Sequence, residues 1–400
     1  MSNRSLDVVV AGHVCLDIIP GFPSGRTYRI EDVFTPGKLV ETAGLAISTG
    51  GPVSNTGIGL AKLGMKVAFM AKVGADQIGR MTLDLLKAWA DTAGLFISNE
   101  ESSSYTVALA PPGIDRIFFH SPGTNHTFGA DNVNYDLVER ARVFHLGYPP
   151  LMRRLFSDHG EELVEIFRRV KERGTTTSLD MALPDPSSEA GRADWLRIFE
   201  RLLPYVDIFH PSAEEALFMA RREKWQSLRE RAGTGEVLDL LTGPDYTEMS
   251  DLLLGMGCAM VTLKSGHRGF YLRTGSADRI AAMGSAKPED ASAWAGREIW
   301  SPAYHVAQIA SATGSGDSSL AGFTTAFLKG ESPERCVAAG NALGYQNLHG
   351  LDAISGIRDW DYTLSVMADA TLPRNPINTG EGWQMDPHGH VALGPRDRCL

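Results

Sequence analysis

Residues 311–323 read SATGSGDSSLAGF, a Gly-Ser-Gly turn that runs into an apolar helical pattern with Leu320, Phe323 and Phe327 on one face. A helix start offers unpaired N–H groups and the positive end of a dipole, so an anion is stabilised there. Glycines let the backbone approach a ligand with no Cβ in the way. The N–H groups of Gly314, Ser315 and Gly316 could therefore hold an oxyanion. Asp317 is poorly placed to bind a phosphate, since like charges repel. It is well placed to take a proton from a hydroxyl attacking that phosphate. The same carboxylate also reads as a simple helix cap, and this stretch alone leaves both readings open. No GK[ST] follows, so it is not a Walker A loop.

Two earlier stretches carry complementary chemistry. Gly12-His13-Val14-Cys15-Leu16-Asp17 places an acid just beyond a first strand, and Gly50-Gly51-Pro52-Val53-Ser54-Asn55 places an amide on the first turn of a helix. Carboxylates and amides exchange hydrogen bonds with neighbouring hydroxyls, which polyol recognition requires. Ligands of open α/β sheets bind beyond the carboxyl ends of the strands, where Asp17 falls. Taken singly, Asp17 also reads as a turn residue and Asn55 as a helix-surface amide.

The elements that must position these residues follow a strand-then-helix rhythm. DVVVAG (7–12), KVAFMAKVG (66–74), ARVFHLG (141–147), TTTSLD (175–180), VDIFH (206–210) and CAMVTLK (258–264) read as buried strands. Helical patterns fall at 77–93, with Gly94 as C-cap, and near 159–173, 191–203 and 212–222. This alternation predicts an α/β fold with a mostly parallel central sheet covered by helices on both faces. Residues 18–49 and 104–121 break the rhythm with β-like text and read as a small second sheet, a lid, the latter segment being a hairpin with Pro-Gly at its tip. Residues 223–256 read as a polar surface insertion. The Pro/Gly-rich tail from 371 to 400 reads as irregular, leaving 1–370 as the principal domain.

Bulk properties narrow the function classes. Four hundred residues with 43% hydrophobic and 22% charged side chains suit a globular protein of one large domain or two smaller ones. A formal net charge of −10 argues against nucleic acid or an anionic membrane as partner, while leaving room for a nucleotide in a local pocket. No run reaches 18 apolar residues and no secretory cleavage pattern is present. Cys15, Cys258, Cys336 and Cys399 show no CxxC spacing, which fits a reducing cytoplasm.

In order along the chain, GxxxxD at 12–17, GGxxxN at 50–55, VGADQIG at 73–79, SPGTNHTF at 121–128, VTLKSGHRG at 261–269 and TGSGD at 313–317 resemble the ribokinase or PfkB family of carbohydrate and nucleoside kinases, over about residues 7–365. The resemblance implies a ribokinase-like three-layer sandwich with a small β-sheet lid. It implies Mg²⁺-assisted, ATP-dependent transfer of a γ-phosphoryl group to a sugar or nucleoside hydroxyl. By that likeness Asp317 matches the general base and Gly314, Ser315 and Gly316 the anion hole. Asp17, Gly50, Gly51 and Asn55 match substrate-contacting positions. Thr262, Lys264, Gly266 and Asn341 match the nucleotide site, and lid pairing implies a homodimer. The alternatives are a nucleoside kinase of the same family and a ligand-binding or regulatory protein on a kinase fold.

Departures from the pattern are localised. The family signature Asp-Thr-x-Gly-Ala-Gly-Asp becomes Ser311-Ala312-Thr313-Gly314-Ser315-Gly316-Asp317. The lost leading acid helps to hold a monovalent cation in many members, so K⁺ dependence is in doubt here. The Asn-x-x-Glu element near the Mg²⁺-phosphate region becomes Ser212-Ala213-Glu214-Glu215, which keeps Glu215 as the metal candidate. Asp180 ends a strand near the expected cleft. Arg116, near the hairpin tip, either meets an anionic group or faces water. His388 and His390 have metal-ligand chemistry but read better as a solvated tail.

Overall fold

The computed structural model describes residues 4–114, 116–386 and 390–398. Fifteen strands form two sheets. The large one is eleven-stranded and uses β1 (Leu6–Gly12), β4 (Val67–Gly74), β5 (Asp91–Ser98), β8 (Ala141–Gly147), β9 (Thr176–Asp180), β10 (Ile208–His210), β11 (Met260–Lys264), β12 (Phe270–Thr274), β13 (Glu298–Ser301), β14 (Gln384–Met385) and β15 (Ala392–Leu393), in the order 14-15-13-12-11-10-9-8-1-4-5. From β5 to β11 every neighbouring pair is parallel, and from β11 to β14 every pair is antiparallel. Successive side chains of β1 serve opposite layers. Val8 and Val10 join one core with Ile58, Leu320 and Phe323, whereas Val9 and Ala11 join the other with Phe144, Leu163 and Phe209. Both faces are covered, which is why the first strand is continuously apolar.

The small sheet contains β2 (Cys15–Pro20), β3 (Leu45–Gly50), β6 (Tyr105–Leu109) and β7 (Ile117–Ser121) in the order 3-2-6-7. Its register separates polar from apolar rungs. Ser48, Asp17, Thr106 and His120 lie across one rung, and Ile47, Ile18, Val107 and Phe119 across the next, on the opposite face. Two motifs fasten this sheet to the large one. Asp76 of VGADQIG accepts from Gly79 N at 2.7 Å and Ser103 N at 2.8 Å. Asn125 of SPGTNHTF holds both backbone groups of Val14, at 3.2 and 2.9 Å.

Three sequence expectations are corrected. The helix from residue 77 ends at Lys87, and Gly94 lies inside β5 opposite Met70 rather than at a C-cap. A Cβ there would stand 2.5 Å from the Phe69 carbonyl oxygen, so the glycine permits close strand approach. Residues 223–256 are not a surface insertion. The helices Arg222–Ala232 and Gly243–Gly255 bury Trp225, Leu228, Tyr246, Met249 and Leu253 in a main core. Their charged residues pair on the outside, as Lys224 does with Asp245 at 2.6 Å, and so mask the apolar spacing beneath. The third correction is partial: the tail is irregular over most of its described length, as expected, but its two-residue strands β14 and β15 cap the sheet edge through Ile299–Leu393 and Trp300–Ala392 pairing.

Candidate active site

The chain order of the large sheet reverses at β1, with β4 and β5 added on one side and β8 to β11 on the other. A crevice beyond the carboxyl ends of strands at such a switch point is where α/β proteins bind ligands. β1 leads there into His13 and Asp17, β8 into Tyr148, β9 ends at Asp180 and β11 at Lys264.

Asp317 lies on the first turn of the helix Ser315–Leu328, whose N-cap is Gly314 at φ +75°. A Cβ on Gly314 would come within 2.5 Å of the Ala353 Cβ, so this turn needs glycine twice over. The Ser315 N–H donates to Ala312 O at 3.2 Å, and Gly316 and Asp317 complete the first-turn donors. Asp317 is 2% exposed. Its Oδ2 accepts from Asn55 Nδ2 at 3.0 Å and from the Tyr148 hydroxyl at 2.9 Å, and its Oδ1 accepts from the Thr56 hydroxyl at 3.0 Å. Burial raises its pKa above the ordinary aspartate value, opposed by these three donors and by Lys264. A plain capping role does not describe this carboxylate, which faces across to another helix rather than back onto its own N–H groups.

A second acidic group adjoins it. Lys264 donates to Asp180 Oδ1 and, at 2.7 Å, to His210 O, and its Nζ lies 4.0 Å from Glu215 Oε2. The carboxylates of Asp180 and Glu215 hold the lysine in its charged form against burial. Glu215 also closes a capping box, with Ser212 N donating to Oε2 at 2.6 Å and Ser212 Oγ accepting from Glu215 N at 3.1 Å. Serine thus replaces the expected asparagine as a competent N-cap. Asp180 Oδ2 is buried with no hydrogen-bond partner. Three carboxylates around one ammonium leave an excess negative charge, and oxygen donors with that excess fit a hard divalent cation such as Mg²⁺.

A cavity of about 310 Å³ opens beside this group, lined by Lys264, Gly266, Phe270, Tyr304, Ser315, Gly316, Asn341 and Tyr345 among others. Three of the four expected nucleotide residues, Lys264, Gly266 and Asn341, line it. Thr262 does not. It shares a face with Lys264 but lies two residues deeper in β11, fully buried short of the strand's carboxyl end, with its hydroxyl 2.7 Å from His210 Nδ1.

The expected substrate residues gather at the junction of the sheets. Gly50 lies against Asp17, whose Oδ2 would be 2.5 Å from a Cβ there. Gly51, at φ +89°, caps the helix Pro52–Lys62 and lies against His13. That helix joins the two acids, since Gly50 precedes it beside Asp17 and its Asn55 holds Asp317. Burial raises the Asp17 pKa, opposed by the Cys15 thiol and the Thr106 hydroxyl. Asn55 is committed to Asp317 through its nitrogen, while its Oδ1 is buried without a partner. Neither Asp17 nor Asp317 lines the cavity beside Lys264. Arg116 reaches the anion loop, with Nη1 2.5 Å from the Thr313 hydroxyl. His390 donates its backbone N–H to Asp386, and His388 lies outside the described residues, as does Cys399. Thr56 and Tyr148 escaped the sequence reading. Thr56 adjoins Asn55, and Tyr148 follows directly on β8 in HLGYPP, a signal of strand-end placement.

A family model described as pfkB family carbohydrate kinase matches residues 7–278 and 289–359. An uncharacterized sugar kinase of Archaeoglobus fulgidus is 23% identical over 300 residues, 75% of this chain and 98% of that protein. Fructokinase-2 of Oryza sativa subsp. japonica is 30% identical over 191 residues, 46% of this chain and 54% of that protein. Among solved structures, the Arabidopsis thaliana ribokinase complexed with ribose and ATP superposes with a TM-score of 0.67 at 18% identity, covering 91% of this chain and 99% of that one. An Escherichia coli structure in complex with ATP and Mg²⁺ gives 0.62 at 17% identity, covering 91% and 99%. These establish the ribokinase-like fold. Among the described residues, no helix is long and apolar enough to cross a membrane.

Proposed function

This chain belongs to the pfkB family of carbohydrate kinases, and from that premise we propose that it transfers the γ-phosphoryl group of ATP to a hydroxyl of a sugar, with Asp317 as general base. The observation that carries this reading is the Asp317 carboxylate. It is buried on the first turn of a glycine-capped helix, held from three sides, and adjacent to a cavity bordered by Ser315, Gly316 and Lys264.

Phosphoryl transfer asks the protein mainly for positioning and charge stabilisation. Asn55 and Tyr148 both bind Oδ2, so Oδ1, with Thr56 alone, keeps the more available lone pair for the attacking hydroxyl's proton. The raised pKa makes this base stronger than an exposed aspartate. The N–H groups of Gly314 and Gly316 and the Lys264 ammonium face the charge that the γ-phosphoryl brings, and the Ser315 N–H joins them on leaving its contact with Ala312 O. Asp17 and the open Asn55 Oδ1 accept from sugar hydroxyls, and Gly50 and Gly51 bring backbone close to that ring. Asp180 and Glu215 would hold Mg²⁺, which supplies neutralisation of phosphate charge when bound. The small sheet serves as a lid over the sugar, and its apolar rung pairs with a second copy of the chain.

The test is ATP consumption across a panel of ketoses, aldoses, pentoses and nucleosides, with wild type and Asp317→Asn in parallel. A sugar that drives wild-type turnover and leaves the variant nearly inactive is the expected result. Turnover only with nucleosides would move the acceptor to that class. Binding of sugars and ATP without turnover would overturn the transferase reading.

A further inference from the structure

The junction between the sheets carries a set of side chains that phosphoryl transfer does not use. His13 follows β1, Cys15 opens β2 and His120 lies on β7, and one potential ligand atom from each falls within 4.8 Å of the other two. Strand register places Cys15, Asp17, Thr106 and His120 on the same face of the small sheet. The His13 and His120 ring centroids are 5.4 Å apart.

His13 gives the independent reason to look for a ligand. It is 3% exposed, yet neither ring nitrogen has a hydrogen-bond partner. A buried polar group left so costs about 1–3 kcal/mol, and such exceptions are rare in folded proteins. Gly51 presses its backbone against the ring, which fixes its position. The Cys15 Sγ is 3.3 Å from Asp17 Oδ1 and 3.6 Å from the Thr106 hydroxyl. His120 Nδ1 shares a hydrogen bond with the same Thr106 hydroxyl at 3.0 Å. A metal-binding histidine usually keeps its second nitrogen in such an outer contact.

We propose that His13, Cys15 and His120 form a binding site for a zinc-class divalent cation, with one coordination position open. Two imidazoles and a thiolate are borderline-soft donors that suit Zn²⁺ or Co²⁺ and do not suit Mg²⁺. Ligand bonds of about 2.0–2.3 Å hold any two ligand atoms within ~4.4 Å of each other. A tetrahedral ion draws its ligand atoms to roughly 3.3–3.8 Å apart, so side-chain rotations of about an ångström close the present separation of up to 4.8 Å. Binding deprotonates Cys15, and its proton leaves to solvent. With Asp17 two residues from Cys15 and Gly51 against His13, an ion held here borders the residues proposed to recognise the sugar and ties both sheets together.

The test uses the full chain, freed of metal with a chelator and titrated with Co²⁺. One Co²⁺ per chain, with a thiolate-to-cobalt charge-transfer band that one equivalent of Zn²⁺ removes and excess Mg²⁺ does not, is the expected result. Cys15→Ser abolishes the band. His120→Ala alters an exposed edge-strand residue and weakens Co²⁺ binding at least tenfold, and circular dichroism checks that both variants fold. Should Cys15→Ser fail to fold, His120→Ala alone decides. Absence of the band in wild type, or an affinity unchanged by the substitutions, overturns the site. The readout involves no phosphoryl transfer, so its failure is separate from failure of the kinase assignment.

Discussion

The two ends of the site differ in how completely their polar groups are partnered. At the acidic end, Asp317 accepts from three donors, Lys264 is held by Asp180 and a main-chain carbonyl, Glu215 is locked in a capping box, and of these groups only Asp180 Oδ2 is left without a partner. At the sheet junction, both His13 nitrogens and Asn55 Oδ1 are buried with nothing to bind. The acidic end is held by the chain's own hydrogen bonds and ion pairs, which is what electrostatic preorganisation requires. The junction is complete only when something enters it. The two ends of the site thus meet at the N-terminal part of one short helix, Pro52–Lys62, the junction at its cap Gly51 and the base at Asn55 and Thr56, and should fail in different ways when disturbed.

The largest effect belongs to the base. Asp317→Asn keeps the shape and the Thr56 contact but removes the proton acceptor, and kcat should fall by about 10²- to 10⁴-fold. ATP binding, measured by calorimetry, should stay within about threefold, because the anion loop is main chain. A variant with kcat within tenfold of wild type would remove Asp317 from this role and erase the distinction between the two ends.

Glycine substitutions sharpen the contrast. Gly314→Ala and Gly51→Ala each force a side chain onto a positive φ and into neighbouring atoms, at a cost of about 1–3 kcal/mol each. Gly314 abuts Ala353 behind the anion loop, so its variant should lose kcat, by roughly tenfold or more. Gly51 abuts His13, so its variant should raise the sugar KM and spare kcat. Identical kinetic signatures in the two variants would show that the ends are not separable.

Much of this arrangement was legible from residue order alone. Gly-Ser-Gly-Asp at a helix start and Gly-Gly-Pro at another are local signals, and both helices begin where the text says. The Asn55–Asp317 contact spans 262 positions and has no local trace; an amide that reads as a substrate contact also serves the base. Tyr148 was missed because its φ of +64° and its reach to Asp317 arise from tertiary packing. The segment 223–256 misled because surface ion pairs dominate its composition while Trp225 and Leu228 face inward. Thr262 shares the face of Lys264, but its depth inside β11 buries it against His210 short of the cavity, and motif position alone carries no signal of depth.

A smaller effect separates the donors from the base they hold. Tyr148→Phe deletes one hydrogen bond to the ionised carboxylate, and that bond lowers the Asp317 pKa. The base works deprotonated, so kcat/KM rises with pH through its pKa. Losing a donor to the charged form moves this acid limb to higher pH. A pH profile of kcat/KM checks it, and an acid limb that stays put, or moves down, refutes the coupling.

The smallest kinetic effect is expected at the far face of the small sheet. Its polar rung, Ser48-Asp17-Thr106-His120, belongs to the junction, while the Ile47-Ile18-Val107-Phe119 rung faces away, with Phe119 half exposed and Leu45 more so. A four-stranded sheet that leaves large apolar side chains open to water is an aggregation liability unless a partner covers it. The proposed pairing of two copies through these rungs would remove that exposure. Phe119→Asp should therefore convert a dimer into a monomer in sedimentation equilibrium. It should leave the unfolding free energy within about 0.5 kcal/mol, as surface changes do. The catalytic constants should move far less than in either glycine variant, because the substituted side chain points away from Asp17. A wild-type chain that sediments as a monomer at micromolar concentration would leave the apolar rung without its partner and break the division of the small sheet into a recognition face and a pairing face.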